Sequence, residues 1–194
     1  MTQHFLHARA PLAFIMAGLF MLAQVLFIGL TRLGIGAASE LIAAGCGLVA
    51  VFASLLGLAA LYSRLCAGSP RLAKAMAVLV VAATLMMLAA ITMLLVSHAD
   101  EHGTAVTLPP AVLGIIGGFL LAYVASFALA AIGGLKAGTK SVAGLLLVPV
   151  VCWGTIIIVG AVGIGTEALK LEIYLNVVMA IGFLALAASL RSRV

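Results

Sequence analysis

The chain has 194 residues, of which 66% are hydrophobic and only 8% are charged. An ordinary soluble domain carries roughly 25% charged residues, so this composition excludes a soluble globular protein. It predicts an all-α membrane protein, since runs of about 20 apolar residues are what a helix needs to cross the hydrocarbon core of a bilayer.

Six stretches without Asp, Glu, Lys or Arg are long enough to cross a membrane. We expect a six-transmembrane-helix bundle with short loops, and one polytopic domain over residues 1–194. The first stretch is retained as a helix, because its apolar core exceeds the roughly 7–15 residues of a signal peptide. The predicted helices cover about 11–31, 37–63, 72–96, 109–133, 142–163 and 169–190.

The charges are divided unevenly between the two sides of this bundle. Eight of the ten basic residues fall at the termini or in the second and fourth connections, the exceptions being Arg32 and Lys170. Cytoplasmic loops are enriched in Lys and Arg, so both termini are predicted to be cytoplasmic. The net charge of +5 follows from this topology, and no nucleic-acid partner is predicted. All five acids fall on the other side, at Glu40, Asp100, Glu101, Glu167 and Glu172.

Small residues recur along one face of the second predicted helix and again on the fourth. Such residues let neighbouring backbones approach closely, which is a main route to helix association in lipid. We expect these faces to pack either inside the bundle or against a second copy of the chain. The predicted packing residues are Gly47, Ala50, Ser54 and Gly57, and then Gly114 and Gly118.

A few polar or unusual residues lie within the spans and are candidates for polar contacts or for a solute pathway. Pro149 is expected to disturb the fifth helix, and Trp153 beside it is expected either to fill the bundle or to line a cavity. Glu40 suits a helix start, where the dipole favours negative charge, or the mouth of a cation path. The remaining candidates, Gln24, Thr155 and Asn176, are expected to bond between helices or to line the same path.

The segment between the third and fourth helices contains paired histidines. His98 and His102 are four residues apart, so a continuing helix would place both on one face, with Asp100 as a nearby oxygen ligand. A divalent metal site at this outer loop is therefore one hypothesis. The alternative is a polar loop that is simply solvated.

Three functions remain open from the sequence. The first is a non-catalytic integral membrane protein, either an accessory subunit of a larger complex or a self-associating bundle. The second is a small channel or transporter for a neutral or apolar solute, and the third is a metal-binding protein or enzyme at the outer face. No catalytic residues and no cofactor are predicted. The expected partners are bilayer lipid and other membrane subunits or a second copy, in the cytoplasmic membrane of a prokaryotic cell.

Overall fold

The computed structural model describes residues 9–35, 38–100, 110–162 and 165–192, and for 94–100, 160–162 and 165–170 it describes the backbone alone. This part of the chain forms six helices, each long and apolar enough to cross a membrane, which confirms the predicted all-helical, six-span architecture. The helices are α1 Ala10–Arg32, α2 Ser39–Gly68, α3 Pro70–Asp100, α4 Pro110–Lys136, α5 Lys140–Val162 and α6 Gly165–Arg191.

The helices form a closed ring in chain order. Each helix packs against the next one, α6 packs back against α1, and α2 also contacts α4 across the ring. We call the end where α1 joins α2, α3 joins α4 and α5 joins α6 the acidic end, because the five acids lie in or near these connections. The opposite end, where α2 joins α3 and α4 joins α5, is the basic end.

The connection between α2 and α3 is much tighter than predicted. The predicted helices leave residues 64–71 as the connection, whereas α2 continues to Gly68 and only Ser69 lies outside a helix. Charged side chains at a helix end reach water without leaving the helix, so Arg64 has no reason to end α2. The break comes from Pro70, which disfavours helical geometry at the preceding residue. Ser69 is accordingly extended, with φ −160° and ψ 99°.

Two glycines end helices by the same mechanism. Gly34 after α1 and Gly138 after α4 have φ of 71° and 74°, a left-handed conformation that glycine adopts without the steric cost of a Cβ. The amide of Ile35 donates to the carbonyl of Leu30 at 3.0 Å, and that of Thr139 to Gly134 at 2.9 Å. Both ends are Schellman motifs, which satisfy carbonyls that a helix end leaves unpaired.

The half of the ring nearer the basic end is filled by aromatic and long aliphatic side chains. Phe14 of α1 stacks on Phe183 of α6 at 6.0 Å between ring centroids, and Phe183 lies 6.0 Å from Phe127 of α4. These three rings are almost completely buried, with exposed fractions of 0–1%. Helices from three sides of the ring therefore meet in the middle of this half.

Glycines bring several of these helices into close contact. A Cβ on Gly18 of α1 would lie 3.0 Å from the carbonyl oxygen of Ala180 in α6. A Cβ on Gly182 of α6 would lie 2.8 Å from a methyl carbon of Val148 in α5. Close approach at these two glycines lets α6 fit between its neighbours and close the ring.

Candidate functional site

The half of the ring nearer the acidic end contains a cavity of about 670 Å³. Leu41 and Val51 mark its extent on α2, which corresponds to about 15 Å along the helix axis. All six helices contribute to the wall. The lining residues are Met21 and Gln24 of α1, Leu41, Ala44, Gly47, Leu48 and Val51 of α2, Met87, Ala90 and Ile91 of α3, Ile116 and Phe119 of α4, Trp153 of α5, and Glu172 and Asn176 of α6.

Four of the described lining side chains carry polar groups, and the other described lining residues are apolar. Three of the four, Gln24, Trp153 and Asn176, are residues that the sequence singled out as candidates for a pathway or for polar contacts. The amide of Gln24 lies directly over Gly47, because a Cβ at that glycine would be 2.8 Å from Nε2. Asn176 is buried, with only 3% of its surface exposed. The cavity thus brings together polar groups that are far apart in the chain.

The fourth polar lining residue, Glu172, was missed by the sequence analysis. It was counted there only as one of five acids on the outer side. A signal was nevertheless present, since Glu172 precedes Asn176 by four residues and residues at this spacing share a helix face. Once Asn176 is a candidate for the interior, Glu172 becomes one as well.

Trp153 lines the cavity and lies about one helical turn after Pro149 on α5. The Trp153 ring makes an edge contact with Tyr123 of α4, at 6.1 Å between centroids and 70° between planes. Its Nε1 is buried and donates to no acceptor in the part of the chain that the structure describes. An unpaired buried donor costs about 1–3 kcal/mol, so this indole favours any acceptor that approaches it. Pro149 is buried within α5 but lies outside the cavity wall.

The floor of the cavity is closed by an aromatic layer held by a buried hydrogen bond. Tyr123 lies 5.8 Å from Phe119 and 5.0 Å from Phe127, measured between ring centroids. Its hydroxyl is 2.8 Å from Oγ of Ser54 on α2. Ser54 donates its single proton to the carbonyl of Val51 at 2.7 Å, so Tyr123 is the donor in the contact with Ser54. This layer separates the cavity from the filled half of the ring.

One side of the cavity is open along α2. Leu41 and Leu48 line the cavity and are also exposed, with exposed fractions of 78% and 37%, and Ala44 between them is exposed as well. The three residues follow one another at helical spacing on one face. This exposed apolar face belongs to a helix that is long and apolar enough to span a membrane.

The remaining pathway candidates lie away from the cavity. The hydroxyl of Thr155 donates to the carbonyl of Val151 one turn earlier, at 2.8 Å, so it is satisfied within its own helix. Glu40 is exposed near the start of α2 and does not line the wall. The structure therefore groups three of the six candidates around one space and leaves Thr155, Glu40 and Pro149 outside it.

The small-residue face of α2 lies inside the chain. A Cβ on Gly57 would be 2.7 Å from the Phe14 ring of α1, Ala50 is fully buried, and Gly47 and Ser54 contact α1 and α4 as described above. On α4, Gly118 faces Met86 of α3, whose sulfur would lie 3.2 Å from an added Cβ. Gly114 has no such neighbour within 4 Å among the described atoms, so half of the predicted Gly-x-x-x-Gly pair makes no helix contact there.

The predicted metal ligands cannot be placed. α3 extends to Asp100, but the side chains of His98 and Asp100 and the whole of His102 lie outside the described residues. The metal site at the outer loop stays a prediction. Within the described part of the chain, no three His, Cys, Asp or Glu side chains come together.

Comparisons of the chain with protein-family models, with curated proteins and with solved structures find no match. The geometry of the cavity is therefore the basis for assigning a function.

Proposed function

We propose that this chain is an integral membrane protein that binds and passes on a small, mostly apolar solute through the cavity near the acidic end. The observation that carries the proposal is a single space of about 670 Å³ to which all six helices contribute. Ligand sites typically have volumes of about 300–1,000 Å³, with apolar walls and a few polar groups that orient the ligand. This cavity fits that description in both size and lining.

The opening along Leu41, Ala44 and Leu48 supports entry of the solute from the bilayer rather than from water. An apolar molecule concentrates in lipid, and an apolar face on a membrane-spanning helix offers it no polar barrier. The aromatic layer around Tyr123 argues against a permanent pore, because it closes the floor of the cavity. Passage to the basic end would require this layer to rearrange, whereas binding requires no such change.

The first hypothesis from the sequence, a subunit whose role is packing, has less support. It relied on two small-residue faces, scarce buried polar groups and short loops, and the small-residue faces were expected to pack inside the bundle or against a second copy. Gly47, Ser54 and Gly57 contact helices of the same chain, so the α2 face is already occupied. A partner would have to use the lipid-facing surface instead.

We further propose that the basic end faces the cytoplasm and that the cavity lies in the outer half of the cytoplasmic membrane of a prokaryotic cell. The distribution of Lys and Arg is the support for this orientation, since basic residues are retained on the cytoplasmic side. Bilayer lipid is then the natural neighbour of the cavity opening. No catalytic group is assigned.

Trp153 provides a direct test, because it is the only tryptophan in the chain and it lines the cavity. Its fluorescence in detergent-solubilised protein is titrated with a neutral apolar nitroxide, TEMPO, which quenches on contact. We expect saturable quenching in the wild type. Ala44→Phe should weaken this saturable component at least fivefold, because the added ring occupies the cavity opening.

The matched control is Ala59→Phe, an exposed position on the same helix that does not line the cavity. This variant should retain wild-type quenching. Quenching that rises linearly with nitroxide concentration and is equal in all three proteins would mean that Trp153 meets only nitroxide dissolved in the micelle. The proposed site would then be wrong.

A further inference from the structure

We propose that the solute of the acidic-end cavity is an organic cation with an apolar body. This inference rests on the proposed function and adds the charge of the solute to it. The geometry that points to it is a carboxylate, Glu172, on the wall of a mostly apolar cavity that is also lined by two aromatic residues.

Among the described residues that line the cavity, Glu172 is the only acid and none is basic. It is partly buried and forms no ion pair with any cation in the described part of the chain. Glu172 is the second residue of the candidate span Leu171–Arg191, and its side chain lines the cavity. A cationic group of the solute would supply a partner for this carboxylate.

The neighbouring side chains suit a cation as well. Asn176 lies one turn from Glu172 on the same face of α6, and Gln24 reaches the cavity from α1. Each amide has a carbonyl oxygen that accepts hydrogen bonds from an ammonium group. Trp153 and Phe119 add aromatic faces, and a cation held over such a face is stabilised by about 0.5–2 kcal/mol.

The charge at this end of the ring favours approach of a cation over a long distance. The acidic end carries all five acids against two basic residues, Arg32 and Lys170, so its formal charge is 2 − 5 = −3. The basic end holds the other eight basic residues and no acids. A net negative charge at this end of the molecule concentrates cations near it.

The lining excludes small inorganic cations as the main solute. A divalent ion prefers about six or more oxygen ligands, whereas this wall offers one carboxylate and two amides. Most of the wall consists of Leu, Ile, Val, Met and Ala side chains, which gain nothing from a hydrated ion but bury an apolar body favourably. An organic cation uses both parts of the wall.

Two probes of the same shape and opposite charge test the inference: tetraphenylphosphonium, a cation, and tetraphenylborate, an anion. Binding to purified protein in a neutral detergent is measured by calorimetry, with the neutral nitroxide assay at Trp153 run in parallel. We expect the cation to bind at least tenfold more tightly than the anion. Glu172→Gln should weaken cation binding at least fivefold, and its thermal unfolding in the same detergent is the check that the variant is folded.

Glu40→Gln is the matched control, because Glu40 is an acid at the same end that does not line the cavity. It should bind the cation as the wild type does. If nitroxide quenching is saturable but the two probes bind equally, or if Glu172→Gln binds the cation normally, the inference about charge is overturned and the proposed function stands. If neither the probes nor the nitroxide bind saturably, the proposed function fails with it.

Discussion

At the scale of single residues, the buried hydroxyls of Tyr123 and Ser54 form a chain of hydrogen bonds with a defined direction. Tyr123 donates to Ser54 across the α2–α4 contact, and Ser54 donates to its own backbone at Val51. Both side chains are almost completely buried, with exposed fractions of 1% and 0%. No water reaches them to replace a lost partner, so the order of donation decides the cost of each substitution.

This order predicts that Ser54→Ala destabilises the protein more than Tyr123→Phe. The first substitution leaves the Tyr123 hydroxyl buried without its acceptor, at a cost of about 1–3 kcal/mol. The second removes one hydrogen bond, worth about 0.6 kcal/mol between membrane helices, while Ser54 keeps its bond to Val51. Thermal unfolding in detergent measures both. The double variant should be more stable than Ser54→Ala alone, and a double variant less stable than both would contradict the assignment of Tyr123 as donor.

Hydrogen bonding within a helix also explains why Thr155 was a poor candidate for a pathway. A hydroxyl in a helix can always reach the carbonyl three or four residues earlier, and Thr84, Thr92 and Thr155 all do so. An amide such as that of Gln24 or Asn176 has more donors and acceptors than its own helix can satisfy. Amides within a span are therefore better predictors of an interior site than hydroxyls are.

At the scale of helices, the ring depends on close contacts that the sequence did not highlight. The predicted small-residue faces were on α2 and α4, yet the approach of α6 to its neighbours uses Gly18 and Gly182. Glycine makes up 21 of the 194 residues, so a single glycine on a helix carries little information by itself. Only the positions of neighbouring helices separate the glycines in contact from those that face open space.

Gly18→Ala is expected to destabilise the bundle by about 1–3 kcal/mol, because the new Cβ would lie 2.8 Å from Leu184 and 3.0 Å from the carbonyl oxygen of Ala180. The backbone atom cannot move without shifting α6. Gly29→Ala on the same helix is the control, since no described atom lies within 4 Å of its added Cβ. Thermal unfolding in detergent should place Gly29→Ala at or above the wild type. If both variants lose the same amount of thermal stability, the loss would come from any substitution of a glycine in helix α1 and not from the contact of α1 with α6.

At the scale of the whole molecule, the distribution of charge and the position of the cavity differ between the same two ends of the bundle. The cavity lies in the half of the ring that ends in acids, and the filled aromatic half ends in basic residues. For the proposed organic cation, the acidic end would therefore supply favourable charge beside the lateral opening of the cavity. The orientation of these two ends in the membrane decides from which side or leaflet the cavity is reached.

We expect the acidic end to face away from the cytoplasm. Single cysteines are introduced at Ile35, near the acidic end, and at Lys140, near the basic end, after Cys46, Cys66 and Cys152 are replaced by alanine. In intact cells a membrane-impermeant maleimide should label Ile35→Cys and not Lys140→Cys. Permeabilised cells provide the control, in which both should react. Labelling of Lys140→Cys alone in intact cells would invert the topology and place the cavity in the cytoplasmic half.

The sequence by itself determined the class of protein and the number of helices. Apolar runs longer than a bilayer is thick have few alternative structures, since every backbone polar group must be paired within lipid. It determined the helix ends less well, since α2 continues past the predicted residue 63 to Gly68. The apolar run ends at the first charged residue, whereas the helix ends only where the backbone can no longer keep helical geometry.

Only the tertiary structure decided which polar residues share a site. Gln24, Trp153, Glu172 and Asn176 meet because α6 packs against α1 and closes the ring. No local sequence pattern predicts that the ring closes, because closure depends on glycine contacts between helices at opposite ends of the chain. The sequence supplied the polar groups, and the packing of α6 between α5 and α1 turned them into the wall of one cavity.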